Sequence, residues 1–233
     1  MNDENNRQIV RMYHVYKRYG SKIALNDVSL EVSENEFLFI SGPSGAGKSI
    51  LLKLICLGEP LSEGQIVIDG INLSRISRSR TLMLRRNFGI IFQNFRLIPT
   101  KNVYDNVALV VEAIGTKRRL VAKKVRSVLR TVGMEDRMKA FPPGLSGGEQ
   151  QRVAVARAIA GDPKIIIADE PTGSLDAESA GVIFNLLKSR HDQGATIIIA
   201  THDTELIRKT GGRVILLDQG RLDISTVIPR MES

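Results

Sequence analysis

Gly42-Pro43-Ser44-Gly45-Ala46-Gly47-Lys48-Ser49 decides the fold of this chain. The octet has the form GxxxxGK[ST], and its flanks have the shape that such a loop needs. Before it, Phe37-Leu38-Phe39-Ile40 is a short apolar run that reads as a buried strand. After it, Ser49-Ile50-Leu51-Leu52-Lys53-Leu54-Ile55 starts a helix. Glycines at 42, 45 and 47 permit backbone angles that a side chain forbids. Successive N–H groups can then turn inward and cradle an anion. The helix N-terminus adds a field that favours phosphate. In that arrangement Lys48 reaches the β- and γ-phosphates of a nucleotide, and the Ser49 hydroxyl ligates Mg²⁺. The plainer alternative is a glycine-rich strand-to-helix turn with no ligand.

Working outward, Ile165-Ile166-Ile167-Ala168-Asp169-Glu170 is an apolar run closed by two carboxylates. A carboxylate at the C-terminal end of a parallel strand faces the crevice where ligands bind. Asp169 is therefore a candidate for holding Mg²⁺, directly or through water. Glu170 points differently and is placed to orient or deprotonate an attacking water. Alternatively, Asp-Glu-Pro is only a turn in which Pro171 stops the strand. Between these two regions lies Leu145-Ser146-Gly147-Gly148-Glu149-Gln150. Read alone, it is a capped helix start, with Ser146 as N-cap and Glu149 completing a capping box.

In this order and spacing the three segments resemble the nucleotide-binding subunit of ABC transporters, over about Val10 to Arg221. The resemblance implies an α/β fold: a P-loop NTPase core with an antiparallel β-subdomain and an inserted helical subdomain at about 95–155. It implies a single ATP-binding domain over 8–225, with tails at 1–7 and 226–233 expected to be flexible. It also implies ATP hydrolysis with Mg²⁺. By this resemblance Tyr19 stacks on adenine, and Gly42, Pro43, Ser44, Gly45, Ala46, Gly47, Lys48, Ser49 and Ile50 surround the phosphates. Ser49, Gln93 and Asp169 form the metal set. Glu170, His202, Gln93 and Lys48 form the catalytic set, with His202 contacting the γ-phosphate. Ser146, Gly147 and Gly148 match the family signature, a second anion site at a helix start. Two such sites on one chain imply a head-to-tail homodimer in the ATP-bound state, each signature closing over the other subunit's nucleotide. Ser174-Leu175-Asp176 matches the loop that crosses that interface and brings Asp176 to the nucleotide. Plainer readings remain for three of these: a wet edge-strand tyrosine, a surface glutamine and a structural histidine. Ile50 stands where the family usually carries threonine, which implies a small change in helix packing.

Within the family, Leu51 to Cys56, Val103 to Ala108 and Leu145 to Arg152 are most similar to the ATP-binding subunit of a bacterial cell-division complex. That subunit works with a four-helix integral membrane partner to activate peptidoglycan hydrolases. ATPases of lipoprotein-release and macrolide exporters share most of these stretches and are the alternative. Either reading implies a groove for a helix of the membrane partner, expected along Phe95, Leu97, Ile98, Val103 and Tyr104.

Composition bounds the remaining classes. The chain has 233 residues, 42% of them hydrophobic, which suffices for a substantial core. Its mean hydropathy is −0.05. One cysteine, Cys56, excludes an internal disulfide and reads as a small buried hydrophobe. Met1 to Arg7 lacks the apolar stretch of a signal peptide, and no apolar segment is long enough to cross a bilayer. The expectation is a cytoplasmic protein, peripheral to the inner face of the cell membrane through its partner. Net charge is +8. The basic residues gather at Arg75, Arg78, Arg80, Arg85 and Arg86, and again from Lys117 to Arg130. A solvated helix face is the favoured reading of both runs, with anionic lipid second. Nucleic acid is not expected, because few aromatics interleave with the charges. A chromosome-associated ATPase would carry a long coiled coil, and a tandem translation ATPase would carry two motif sets. Neither pattern is present. Intact Glu170 and His202 argue against a nucleotide sensor without turnover.

The coarse element pattern is strands at 9–15, 24–32, 37–40, 64–70 and 89–93. A turn is expected from Tyr16 to Gly20, and a basic helix from Thr81 to Phe88. Helices follow at 103–115, 117–133, 147–161 and 177–190, strands at 164–168 and 195–200, and a last hairpin around Gln219-Gly220.

Overall fold

Alternation inside the apolar runs builds the centre of the molecule. The structure, a computed structural model, describes residues 7–173 and 175–223, with the backbone alone for Glu205 and Lys209. Ten strands appear among the described residues: β1 (Gln8–Tyr19), β2 (Lys22–Ser33), β3 (Phe37–Ser41), β4 (Glu63–Ile68), β5 (Ile71–Asn72), β6 (Phe88–Ile91), β7 (Ile165–Asp169), β8 (Thr196–Ala200), β9 (Arg213–Asp218) and β10 (Arg221–Asp223). They form an antiparallel sheet in the order β2-β1-β4-β5 and a larger sheet in the order β10-β9-β3-β8-β7-β6. In the larger sheet β9, β3, β8, β7 and β6 run parallel, and β10 turns back antiparallel on β9.

Strands buried on both faces read as unbroken hydrophobic runs, yet their side chains still alternate between faces. Phe37, Phe39, Ile166, Ala168, Ile197 and Ile199 enter one core, and Leu38, Ile40, Ile165, Ile167, Ile198 and Ala200 enter the other. The helices are α1 (Lys48–Ile55), α2 (Arg78–Arg85), α3 (Val103–Ala113), α4 (Arg118–Thr131), α5 (Gly147–Ile159), α6 (Ala177–Asp192) and α7 (Thr204–Thr210). The first core packs against α3 to α6, and the second against α1 and the antiparallel sheet. Among the described residues no helix is long and apolar enough to cross a membrane.

Three expectations change. The turn from Tyr16 to Gly20 is strand: β1 runs on to Tyr19, because register shifts let it keep pairing with both β2 and β4. The turn shrinks to Gly20-Ser21, with Gly20 at φ +58°. The basic helix starts at Arg78, since the Ser77 hydroxyl caps it by accepting from the Arg80 N–H. Helix α7 was not expected, although Asp203 marks it by accepting from the Leu206 N–H at 3.0 Å. Of the tails expected at 1–7 and 226–233 only Arg7 is among the described residues, and Ser174 and residues 224–225 also lie outside them.

Candidate nucleotide site

The carboxyl ends of β3, β7 and β8 meet at a cavity of about 860 Å³. Residues 42–50, Gln93, Asp169, Glu170 and His202 line it together. Its far wall is Lys22, Ile23, Ala24, Gln219 and Gly220, which no motif marked. They arrive by long-range contact: Gly220 N–H donates to the Ala46 carbonyl at 2.9 Å, and Asn26 N–H to the Gly220 carbonyl at 2.8 Å. The loop is pinned between strands. Gly42 has φ +145°, and a Cβ there would lie 2.0 Å from the Leu217 carbonyl oxygen. At Gly47, with φ +109°, a Cβ would lie 2.7 Å from the Ala24 carbonyl oxygen. Only glycine fits such positions. Lys48 Nζ bends back to donate to the carbonyls of Gly42 at 2.6 Å and Pro43 at 3.1 Å.

Glu170 sits in the left-handed region at φ +46°. Non-glycine residues held there cluster at functional sites. Its N–H donates to the Ala200 carbonyl at 2.9 Å. One carboxylate oxygen accepts from His202 Nδ1 at 2.8 Å and the other from the Thr201 hydroxyl at 3.1 Å. The end of β8 therefore aims the carboxylate by two donors, while the His202 side chain is 75% exposed. Ser49, Gln93 and Asp169 face the same cavity, and among the described residues their side chains make no hydrogen bond or ion pair. A hydroxyl, an amide carbonyl and a carboxylate are hard oxygen donors, the type that Mg²⁺ takes. The residues present fit that ion. Ile50 is half-buried against the second core, so its side chain serves packing.

Other candidates stand apart from this cavity. Tyr19 is not among its lining residues. Its hydroxyl donates to Glu59, and Lys17 Nζ lies 4.7 Å from the ring centroid. The hydrogen bond to ionised Glu59 pushes the Tyr19 pKa up to about 12 and holds that of Glu59 down. Tyr19 does pair with Lys22, a lining residue, so it stands at the margin. Ser146, Gly147 and Gly148 form the start of α5, away from the cavity. Ser146 N–H donates to the Glu149 carboxylate at 2.8 Å, and Glu149 N–H to the Ser146 hydroxyl at 3.2 Å, completing the capping box. Asp176 caps α6 by accepting from Ser179 N–H at 2.8 Å, which lowers its pKa.

The segment after Gln93 is held by two residues that sequence reasoning missed. Phe95 and Arg96 both have φ +50°. Arg157 of α5 donates to their carbonyls at 2.8 Å and 2.6 Å, and burial pushes its guanidinium pKa down. Asn106, fully buried, accepts from the Ile98 N–H and donates to the carbonyls of Ile98, Lys101 and Asn102. Arg157 stands among alanines with no local signal of partners about sixty residues earlier, and Asn106 follows Asp105 in an ordinary helix start that does not mark its bonds to the preceding loop. Of the five apolar groups expected along a partner groove, Val103 is fully buried and belongs to the core. Leu97 and Tyr104 are half-buried against that core, and Ile98 is 37% exposed.

Comparison with known proteins gives the family and the fold. The family described as "ABC transporter" matches residues 25–173. The chain is 42% identical to the cell division ATP-binding protein FtsE of Streptococcus pneumoniae over 215 residues, covering 92% of this chain and 94% of that one. It is 39% identical to the FtsE protein of Bacillus subtilis, covering 91% and 93%. Among solved structures, the ATP-binding cassette MJ0796, a dimer in a post-hydrolysis state bound to ADP and Pi, superposes with a TM-score of 0.87 at 34% identity. That match covers 94% of this chain and 98% of the other.

Proposed function

The chain belongs to the ABC transporter family as an ATP-binding subunit, and on that premise we propose a division of labour among its residues. It is an ATPase. Gly42 to Ile50 take the phosphates, and Lys48 leaves the carbonyls of its own loop for the nucleotide. Ser49, Gln93 and Asp169 hold Mg²⁺, which when bound neutralises phosphate charge. Glu170 orients and deprotonates the attacking water, and His202 holds the carboxylate and reaches the γ-phosphate. The observation that carries this reading is the Glu170 carboxylate, held by His202 and Thr201 at the edge of the loop-lined cavity. Tyr19, anchored by Glu59 at the cavity margin, supplies a face for the base. Ser146, Gly147, Gly148 and Asp176 stand outside this cavity and complete that of a second copy, in a homodimer closed around two ATP. The unit is one domain over 8–225, with α3, α4 and the start of α5 as its helical insert.

The FtsE relatives carry cell division in their names, and we extend that role to this chain. Its membrane partner is then an FtsX-like protein, seated along Phe95, Leu97, Ile98 and Tyr104, and the protein sits at the cytoplasmic face through that partner. One pair of measurements tests the scheme. Glu170→Gln should retain ATP binding, lose about a hundredfold or more in phosphate release, the scale of a general base, and accumulate as an ATP-bound dimer on gel filtration. Leu97→Asp should hydrolyse ATP in solution yet fail to copurify with the membrane subunit. Native turnover in Glu170→Gln would remove Glu170 from its role.

A further inference from the structure

The two basic runs of this chain differ in part: among the described residues the second has two paired charges, and the first has none. On α4, Lys124 pairs with Asp162 at 2.8 Å, and Arg130 pairs with Glu135 at 2.7 Å. The earlier run has no such partners. Between Asp69 and Asp105 the sequence contains no carboxylate, yet it holds Arg75, Arg78, Arg80, Arg85 and Arg86. All five are exposed. Among the described residues none of them makes a salt bridge, and Arg85 donates only to the Leu57 carbonyl, at 2.6 Å.

Two apolar side chains sit between these charges. Helix α2 buries Leu84 at 2% exposure, while Leu82 and Met83 are 55% and 66% exposed. These are the two largest exposures of any large apolar side chain among the described residues. The helical period sets Leu82 on the face turned away from Leu84. A solvated helix face accounts for the arginines but not for the apolar pair at their centre. Nucleic acid would neutralise the arginines and gain nothing from Leu82 or Met83. A bilayer surface uses both: anionic headgroups meet the guanidinium groups, and the acyl boundary takes the apolar tips.

We propose that α2 and the Arg75 turn before it form a direct contact with anionic phospholipid, with Leu82 and Met83 entering the headgroup–acyl boundary. The contact requires no nucleotide, uses no residue of the ATP cavity and stands independently of the ATPase reading. Flotation of the purified, partner-free protein tests it, with vesicles of phosphatidylcholine alone and of phosphatidylcholine mixed with phosphatidylglycerol. Capture by the mixed vesicles only, weakening with added salt, is expected. Replacing Arg78, Arg80 and Arg86 together by Gln should reduce partitioning by about a hundredfold. Leu82→Ser with Met83→Ser should also reduce it. Lys124→Gln with Arg130→Gln on α4, whose charges are already paired with Asp162 and Glu135, should stay near native. Every variant should keep native ATP hydrolysis in solution, which reports an intact fold. Equal capture by neutral vesicles, or undiminished capture of the α2 variants, would overturn the proposal. So would indifference to both vesicles combined with capture of a DNA duplex, or burial of Leu82 and Met83 by the membrane subunit alone. A native protein that failed to hydrolyse ATP would strike the ATPase reading and leave the vesicle result standing.

Discussion

At the start of α1, a Cβ on Gly42 or Gly47 would meet backbone oxygen at 2.0 Å or 2.7 Å, and both residues have positive φ. At the start of α5, Gly147 has nothing within 4 Å of its Cβ position, and at Gly148 the nearest atom is the Ser179 hydroxyl oxygen at 2.7 Å. Neither glycine of the second pair is left-handed. The first helix start needs its glycines to fold at all. At the second the contrast rests on Gly147, which no contact inside the subunit requires, so a requirement for glycine there has to come from outside the subunit. Their donors differ too. The N-cap of α1 has no side-chain hydrogen bond, which leaves the N–H groups of that turn for a ligand. The N-cap of α5 is closed by Ser146 and Glu149, so part of its first turn is already satisfied. In the proposed scheme the first start is a complete cradle, and the other is half of a site.

The largest effect that can break this comparison comes from two alanines. Gly42→Ala forces a side chain into the Leu217 carbonyl at a strained φ, a cost of about 3 kcal/mol or more. Its melting temperature should fall sharply, and nucleotide titration should show no binding. Gly147→Ala should change stability by no more than about 1 kcal/mol, because helical alanine there meets no atom. Its ATP affinity as a monomer should stay native, while the dimer trapped by Glu170→Gln should be lost. Equal melting losses in both variants would mean that Gly147 serves the fold, and the contrast would collapse.

A smaller effect sharpens the α1 side. Tyr19→Ala should weaken ATP and GTP binding alike, by about 1–3 kcal/mol on the scale of a ring stacking on a base. Stacking reads a flat ring without reading its edges. Fluorescence titration with both nucleotides decides the matter. Unchanged affinities would leave Tyr19 as the partner of Glu59 and Lys17 only, with Lys22 and Ile23 as the remaining wall on that side.

What was legible in the sequence shares a cause. The strand before Gly42, the strand ending at Asp169 and the capping box at Ser146 are local patterns, and local backbone physics fixes them. The strand over Tyr16 to Tyr19 is hidden in the sequence because register shifts carry its pairing: Lys17, Arg18 and Tyr19 pair with Leu25, Ile23 and Lys22 of β2, and Tyr16 with the distant Glu63 of β4. The cavity wall at Gln219 and Gly220 was also invisible, since it is set by contacts to Ala46 and Asn26. Arg157 and Asn106 look like ordinary helix residues until the chain folds and brings the carbonyls of residues 95–102 to them. Gln151 is the same case. It is buried at 1% exposure and donates to the Pro171 carbonyl at 2.6 Å, tying the start of α5 to the turn after Glu170. The motifs name the groups to which the proposed chemistry is assigned, and the residues that hold those groups in place emerge only from the folded contacts.

The smallest predicted effect separates the two helix starts by pH. Glu149 accepts from the Ser146 N–H, and that hydrogen bond holds its pKa below the ordinary glutamate value. A carboxylate with a depressed folded pKa stabilises the protein above its unfolded value, about 4.3 for glutamate. That contribution fades as pH falls through the folded pKa. Glu149→Ala should therefore lower stability by about 1 kcal/mol at neutral pH, the usual scale of a lost cap. The difference between native and variant should shrink in acid, below the ordinary glutamate range. At the start of α1 the first turn holds no acidic residue and no side-chain cap, so Ser44→Ala should give a melting difference that is flat across the same range. The measurement is thermal unfolding of native protein and both variants from neutral pH down into the glutamate range. A Glu149→Ala difference that persists undiminished in acid would show that the side chain acts through packing. The cap would then not distinguish α5 from α1, and the half-site would have to be argued from the glycines alone.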